Sequence, residues 1–118
     1  MEPSLEQFLE FSNYRKNLEI QKKILKDKLM SGLTIGYEGG LFVIDHSLIV
    51  FVQFLVDRGR TENIPILDIN QNPILISDLK KFQDHIVETY FYTSNEYLLE
   101  CNKLKSKRNI KDFLKDYE

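Results

Sequence analysis

Residues 33–59 read LTIGYEGGLFVIDHSLIVFVQFLVDRG, and this stretch decides the expected fold. It begins with two short β-prone runs, Leu33–Tyr37 and Leu41–Ile44. Between them lies Glu-Gly-Gly at positions 38–40, whose glycines suit a tight turn. The sequence therefore predicts a β-hairpin in the first half of this stretch.

The second half of the stretch is predicted to be a helix. Asp45 or Ser47 can accept hydrogen bonds from its first turn, and Gly59 can end it in a left-handed conformation. The body of this helix is apolar on nearly every side. We therefore expect it to be the most buried helix, with Phe51 and Phe54 in the core.

A second hairpin is predicted further along the chain. The apolar runs Ile64–Leu67 and Pro73–Ile76 flank the polar sequence DINQN at 68–72. Asp and Asn in that position favour a turn. They also match the first ligands of a calcium loop, but the match then fails. Position 73 is Pro where the loop needs Gly, and Leu79 stands where it needs a bidentate Glu.

A long amphipathic helix is predicted to precede the first hairpin, from Ser4 to Met30. Ser4 can cap it, and Gly32 can end it in a left-handed conformation. Apolar residues recur at helical spacing and form one stripe: Phe11, Tyr14, Leu18, Leu25 and Leu29.

A third helix is predicted to begin at Ser77 or Asp78. The sequence of 93–96, Thr-Ser-Asn-Glu, resembles a capping box, so we expect a break or kink before residues 97–104. One side of this helix is largely apolar: Leu79, Phe82, Ile86, Tyr90, Thr93 and Tyr97.

The chain is therefore predicted to be α+β and mostly α. Three main helices are joined by two short β-hairpins, and a short helix follows at the C-terminus. We expect residues 1–108 to form a single globular domain and residues 109–118 to form an amphipathic tail.

Composition excludes several classes of protein. Of 118 residues, 42% are hydrophobic and 29% charged, a balance typical of a globular domain. A net charge of −2 does not mark the whole chain as a nucleic-acid binder, and one cysteine allows no internal disulfide. We see neither a signal peptide nor a membrane-spanning run and expect a cytoplasmic protein. The sequence has no alanine but many Lys, Ile and Asn, which suggests an AT-rich bacterial or bacteriophage gene.

Residues of catalytic and metal-binding types are present, but they are scattered. Asp45, His46 and Ser47 have the residue types of a hydrolase triad, yet adjacent residues do not point at one place. Cys101, His46 and His85 are far apart and too few for zinc. We therefore expect no enzymatic activity, no catalytic or metal-binding residues, no cofactor and no small-molecule substrate.

Two regions are rich in basic residues and could contact phosphates or an acidic protein surface. A solvated, lysine-rich helix face is the alternative interpretation. Aromatic side chains at 90, 91, 92 and 97 could also anchor a partner, although some must face the core. The basic residues are Arg15, Lys16, Lys22, Lys23, Lys26, Lys103, Lys105, Lys107 and Arg108.

The C-terminal segment carries the predicted partner-binding residues. Their apolar members are spaced by three and four, as in a peptide that binds a groove or in a last helix packed on its own domain. The predicted residues are Ile110, Asp112, Phe113, Leu114 and Tyr117.

Asp112-Phe113-Leu114, together with the Ile- and Lys-rich composition, resembles the small accessory proteins of T4-type tailed bacteriophages. Late-transcription co-activators of that group end in a short acidic-hydrophobic motif and tether RNA polymerase to the DNA sliding clamp. The resemblance implies an adaptor in the cytoplasm of the infected host, binding RNA polymerase, the clamp or both. Nucleic acid would then be contacted through the larger assembly. The alternatives are a structural or assembly protein of the virion and an accessory nucleic-acid-binding protein.

Overall fold

The computed structural model describes residues 4–107, which form three helices and four strands. In chain order these are α1 (Leu5–Gly32), β1 (Thr34–Tyr37), β2 (Gly40–Val43), α2 (His46–Asp57), β3 (Glu62–Leu67), β4 (Pro73–Asp78) and α3 (Leu79–Lys107). β1 pairs with β2 and β3 with β4, both antiparallel, in two separate sheets. The predicted α+β, mostly α class is confirmed. The predicted C-terminal helix lies outside the described residues.

The chain divides into two compact units. Unit 1 contains residues 4–28 and 96–107 of the described chain, and unit 2 contains residues 29–95. Unit 1 is built from α1 and α3 alone. Unit 2 holds both hairpins, α2, the last turn of α1 and most of α3.

The first hairpin has the predicted tight turn. Glu38 (φ 47°) and Gly39 (φ 84°) are both left-handed, as a two-residue type I′ turn requires. Tyr37 pairs with Gly40 across it. The Glu38 carboxylate also accepts hydrogen bonds from the backbone N–H and the hydroxyl of Ser77 in β4. The turn therefore holds the second hairpin as well as closing the first.

Both ends of α2 follow the sequence signals. Asp45 Oδ1 accepts a hydrogen bond from the backbone N–H of Leu48 at 2.7 Å, so Asp45 is the cap. Gly59 (φ 74°) ends the helix, and the N–H groups of Gly59 and Arg60 donate back to carbonyls of the last turn. This is a Schellman motif, which satisfies carbonyls that the helix leaves without partners.

The expectation that α2 is the most buried helix is wrong. Val52 is buried, but Phe51 is 46% and Phe54 50% exposed. A helix that is apolar on every side can bury only the face that meets its neighbours. The centre of the unit 2 core is instead on α3, where Phe82 and Ile86 are fully buried.

The predicted beginning and apolar stripe of α1 are confirmed. Ser4 Oγ accepts from the backbone N–H of Gln7, and the Gln7 side chain accepts from the N–H of Ser4, which forms a capping box. The predicted left-handed end at Gly32 is wrong. Gly32 is the last helical residue, and a Cβ there would lie 2.7 Å from Cγ2 of Thr93. It allows close packing rather than a turn. The stripe residues are all half-buried: Phe11, Tyr14, Leu18, Leu25 and Leu29.

The predicted beginning of α3 is confirmed, but its predicted break is wrong. Asp78 Oδ1 accepts from the N–H groups of Lys80 and Lys81 and caps the helix. The helix then continues to Lys107 without interruption. A capping box needs a non-helical first residue, whereas Thr93 is helical and packs against Gly32.

Candidate functional site

A groove of about 450 Å³ in unit 2 lies between α2 and the second hairpin. Leu48 and Phe51 line it from α2, three residues apart and therefore on one helix face. Pro65, Leu67 and Ile69 line it from β3 and the following loop. These side chains give the groove an apolar rim.

The rim is open to solvent. Leu67 is 57% and Ile69 46% exposed, and the ring of Phe51 is exposed to a similar degree. Leu67 and Phe51 belong to different elements and line the same groove, so apolar side chains are exposed on both sides of it. Exposed apolar patches of this kind mark binding sites for other molecules.

Asp68 lies in the groove lining and is buried. Its Oδ1 accepts hydrogen bonds at 2.9 Å from the backbone N–H groups of Asn70 and Asn72, and its Oδ2 accepts at 3.3 Å from that of Leu41. The N–H of Ile69 also donates to the carbonyl of Leu41. One carboxylate therefore orders the second turn and attaches it to β2.

These hydrogen bonds lower the pKa of Asp68 from its usual value. The bond from the Asn72 N–H contributes most, and those from Leu41 and Asn70 add to it, while burial opposes the shift. The carboxylate is thus held in its charged form by backbone donors. Asp45, which also lines the groove, is occupied as the α2 cap. The groove consequently offers apolar contact rather than acid–base chemistry.

Unit 1 contains a different kind of groove, of about 280 Å³, between α1 and α3. Its apolar floor comes from Leu25 and Leu104, and Leu104 is buried. Tyr97 and Cys101 complete the floor and share a side-chain hydrogen bond, which together with burial raises the pKa of Tyr97. Three lysines form its rim: Lys22, Lys26 and Lys105.

The predicted basic face is only partly assembled in one place. Lys22, Lys26 and Lys105 line the unit 1 groove, whereas Lys103 lies 3.5 Å from Glu100 in an ion pair. Arg15, Lys16 and Lys23 are exposed on α1 but do not line that groove. Lys107 is the last residue described in α3, and Arg108 lies outside the described residues.

The predicted partner-binding residues Ile110, Asp112, Phe113, Leu114 and Tyr117 all lie outside the described residues. Of the aromatic candidates, Phe91 and Tyr92 are exposed, while Tyr90 and Tyr97 are half-buried. The interpretation of the tail therefore stays a prediction.

The triad-like sequence has a structural role. Asp45 caps α2, and His46 Nε2 lies 2.9 Å from the hydroxyl of Tyr90 in a hydrogen bond that links α2 to α3. Within residues 4–107, no three His, Cys, Asp or Glu side chains lie close enough together to hold a metal ion. Over the same part of the chain, no helix has the length and apolar character needed to cross a membrane.

Sequence reasoning missed the groove in unit 2 because it assigned Phe51 to the core. One signal was available in the sequence. The helix α2 carries apolar residues of its own on nearly every side, and a short helix that packs on one layer cannot bury them all. Known protein families, curated proteins and solved structures were compared with the chain, and none matches it.

Proposed function

We propose that this chain is a non-enzymatic, protein-binding adaptor that accepts apolar side chains of a partner in the unit 2 groove. The observation that carries the proposal is the open apolar rim of Phe51, Leu67 and Ile69. The polar groups beside this rim, Asp45 and Asp68, already bind backbone N–H groups of this chain. A partner is therefore selected by shape and apolar contact.

The energy available at the rim supports a role as one contact among several. Burying the exposed half of each of the three side chains gains about 1 kcal/mol apiece. Micromolar binding corresponds to about −8 kcal/mol, and association has its own entropic cost. The groove alone would bind weakly. An adaptor that holds a machine at two points gains from linked contacts that are individually weak.

The finer proposal concerns the partner. RNA polymerase and the DNA sliding clamp of an infected bacterial host are the leading candidates, on the basis of the resemblance of Asp112-Phe113-Leu114 to phage co-activators. In that role the protein acts in the host cytoplasm and reaches nucleic acid through the assembly. A virion component remains the competing proposal.

Phe51→Glu tests the groove, with Val50→Glu as the matched control. Val50 is on the same helix and is 67% exposed, but it does not line the groove. Both variants add the same charge at an exposed position, so we expect both to fold. Biolayer interferometry against purified bacterial RNA polymerase and purified clamp should show binding that Phe51→Glu removes and Val50→Glu retains.

Two results would count against this function. Binding that is equally strong in the Phe51→Glu variant would remove the groove from the interface. Absence of binding to either machine, combined with stoichiometric protein in purified phage particles by immunoblot, would favour the virion component instead.

A further inference from the structure

The unit 1 groove is a second binding site, and we propose that it takes an acidic peptide segment with an apolar anchor. The unit 1 and unit 2 grooves share no lining residue, so binding at one can fail without affecting the other. The groove is formed by α1 and α3 within unit 1.

Charge is the first argument for an acidic partner. Lys22 and Lys26 are four residues apart and therefore neighbours on one face of α1, and Lys105 of α3 joins them at the rim. The lining contains no Asp or Glu among the described residues. A neighbouring depression, which shares Leu25 and Leu104, is lined by the paired Glu100 and Lys103 and lacks this excess of positive charge.

The floor of the groove is the second argument, because it favours a peptide over nucleic acid. Leu25 and Leu104 are apolar, and the hydroxyl of Tyr97 interacts with the side chain of Cys101. Such a floor suits an apolar side chain, whereas a phosphate backbone would leave it unused. A volume of about 280 Å³ is at or below the usual lower limit for a small-molecule pocket. It fits one or two anchor side chains.

The chain's composition makes a direct binding assay possible. It has no tryptophan, so a tryptophan placed in the ligand reports only its own surroundings. The probe is a short peptide with one tryptophan and one leucine among aspartates and glutamates. On binding, the emission of the probe should move to shorter wavelength, and the affinity should fall as salt is added.

Cys101 gives a second readout that locates the peptide. It is the only cysteine and is half-buried in the groove floor. A bound peptide should slow its modification by a chromogenic disulfide reagent. The ratio of rates with and without peptide is compared within each variant, because removing nearby lysines changes the rate of the free protein.

Two triple variants distinguish binding in the groove from electrostatic attraction of the peptide to lysines elsewhere on the protein. We expect replacement of the rim lysines to weaken binding about tenfold, since exposed charge contacts each contribute modestly. The control removes the same charge from exposed α1 lysines outside the groove and should weaken binding less than about twofold. The rim variant is Lys22→Gln, Lys26→Gln and Lys105→Gln; the control is Lys16→Gln, Lys23→Gln and Lys28→Gln.

Four outcomes would overturn the proposal. They are no binding of the peptide, equal loss in both triple variants, undiminished binding when alanines replace the tryptophan and leucine, and tighter binding of a single-stranded oligonucleotide that protects Cys101. The last result would make the groove a nucleic-acid site. For the alanine peptide, which lacks the fluorophore, protection of Cys101 is the measurement.

Discussion

Phe82 lies at the centre of the unit 2 core. Its side chain is fully buried, and its ring centroid lies 4.9 Å from that of Tyr37 and 5.3 Å from that of Phe42. Phe82→Ala removes the ring and both aromatic contacts and leaves a cavity, so we expect a loss of about 3–5 kcal/mol in the free energy of unfolding. Phe51→Ala removes a ring that is already about half in water and should cost about 1 kcal/mol.

Urea unfolding followed by far-ultraviolet circular dichroism measures this difference. With an m-value of about 1.5 kcal/mol/M, Phe82→Ala should lower the midpoint by about 2–3 M and Phe51→Ala by about 0.7 M. A loss of this size can exhaust the stability of a small domain, about 5–15 kcal/mol. Phe82→Leu, which keeps most of the volume, should cost about 1.5 kcal/mol and remain folded. Equal midpoints for Phe51→Ala and Phe82→Ala, or a Phe82→Leu midpoint unchanged from wild type, would refute the assignment of the core to α3.

Two further predictions concern the hairpins. Gly40→Ala would place a Cβ 2.5 Å from Cγ1 of Ile74, so it should lower the free energy of unfolding in urea by about 1–3 kcal/mol. The control Gly36→Ala has room for its Cβ and should be neutral or slightly stabilising. An unchanged free energy of unfolding for Gly40→Ala would contradict the close approach of Ile74. The pKa of Asp68 is lowered in the folded state, so its contribution to stability is complete above about pH 4 and is lost as pH falls through the folded pKa. Asp68→Asn should therefore lower the melting temperature at pH 7 by more than at pH 3. A difference of the same size at both pH values would rule out the charged form as the cause.

The parts of the fold that were predictable from sequence are those set by local chemistry. The turn at Glu38-Gly39 needs left-handed backbone, and the second hairpin needs a side chain that binds its own turn, as Asp68 does. Asp45 and Gly59 likewise mark the ends of α2 through interactions within a few residues. Such signals are complete in the sequence because every participant lies nearby.

The failures all needed information from distant residues. Apolar periodicity cannot show which face of α2 is buried, because apolar residues occur on nearly every side of it. The neighbouring elements determine that Val52 is buried and Phe51 is exposed. The local sequence of Thr93 resembles a helix cap, but Thr93 contacts Gly32, which lies more than 60 residues earlier in the chain. The grouping of Lys105 with α1 lysines was hidden for the same reason.

The attachment of Asp68 and Ile69 to β2 also reduces the sheet edge that is open to pairing with another molecule. A two-stranded sheet has open edges, and a free edge can recruit the same strand of another molecule. Leu41 is not available for such pairing, because its N–H donates a hydrogen bond to the Asp68 carboxylate and its carbonyl accepts one from the N–H of Ile69. The turn between β3 and β4 therefore covers part of the edge of β2, a strand of four residues. Less of the β2 edge is therefore available to pair with a neighbouring chain.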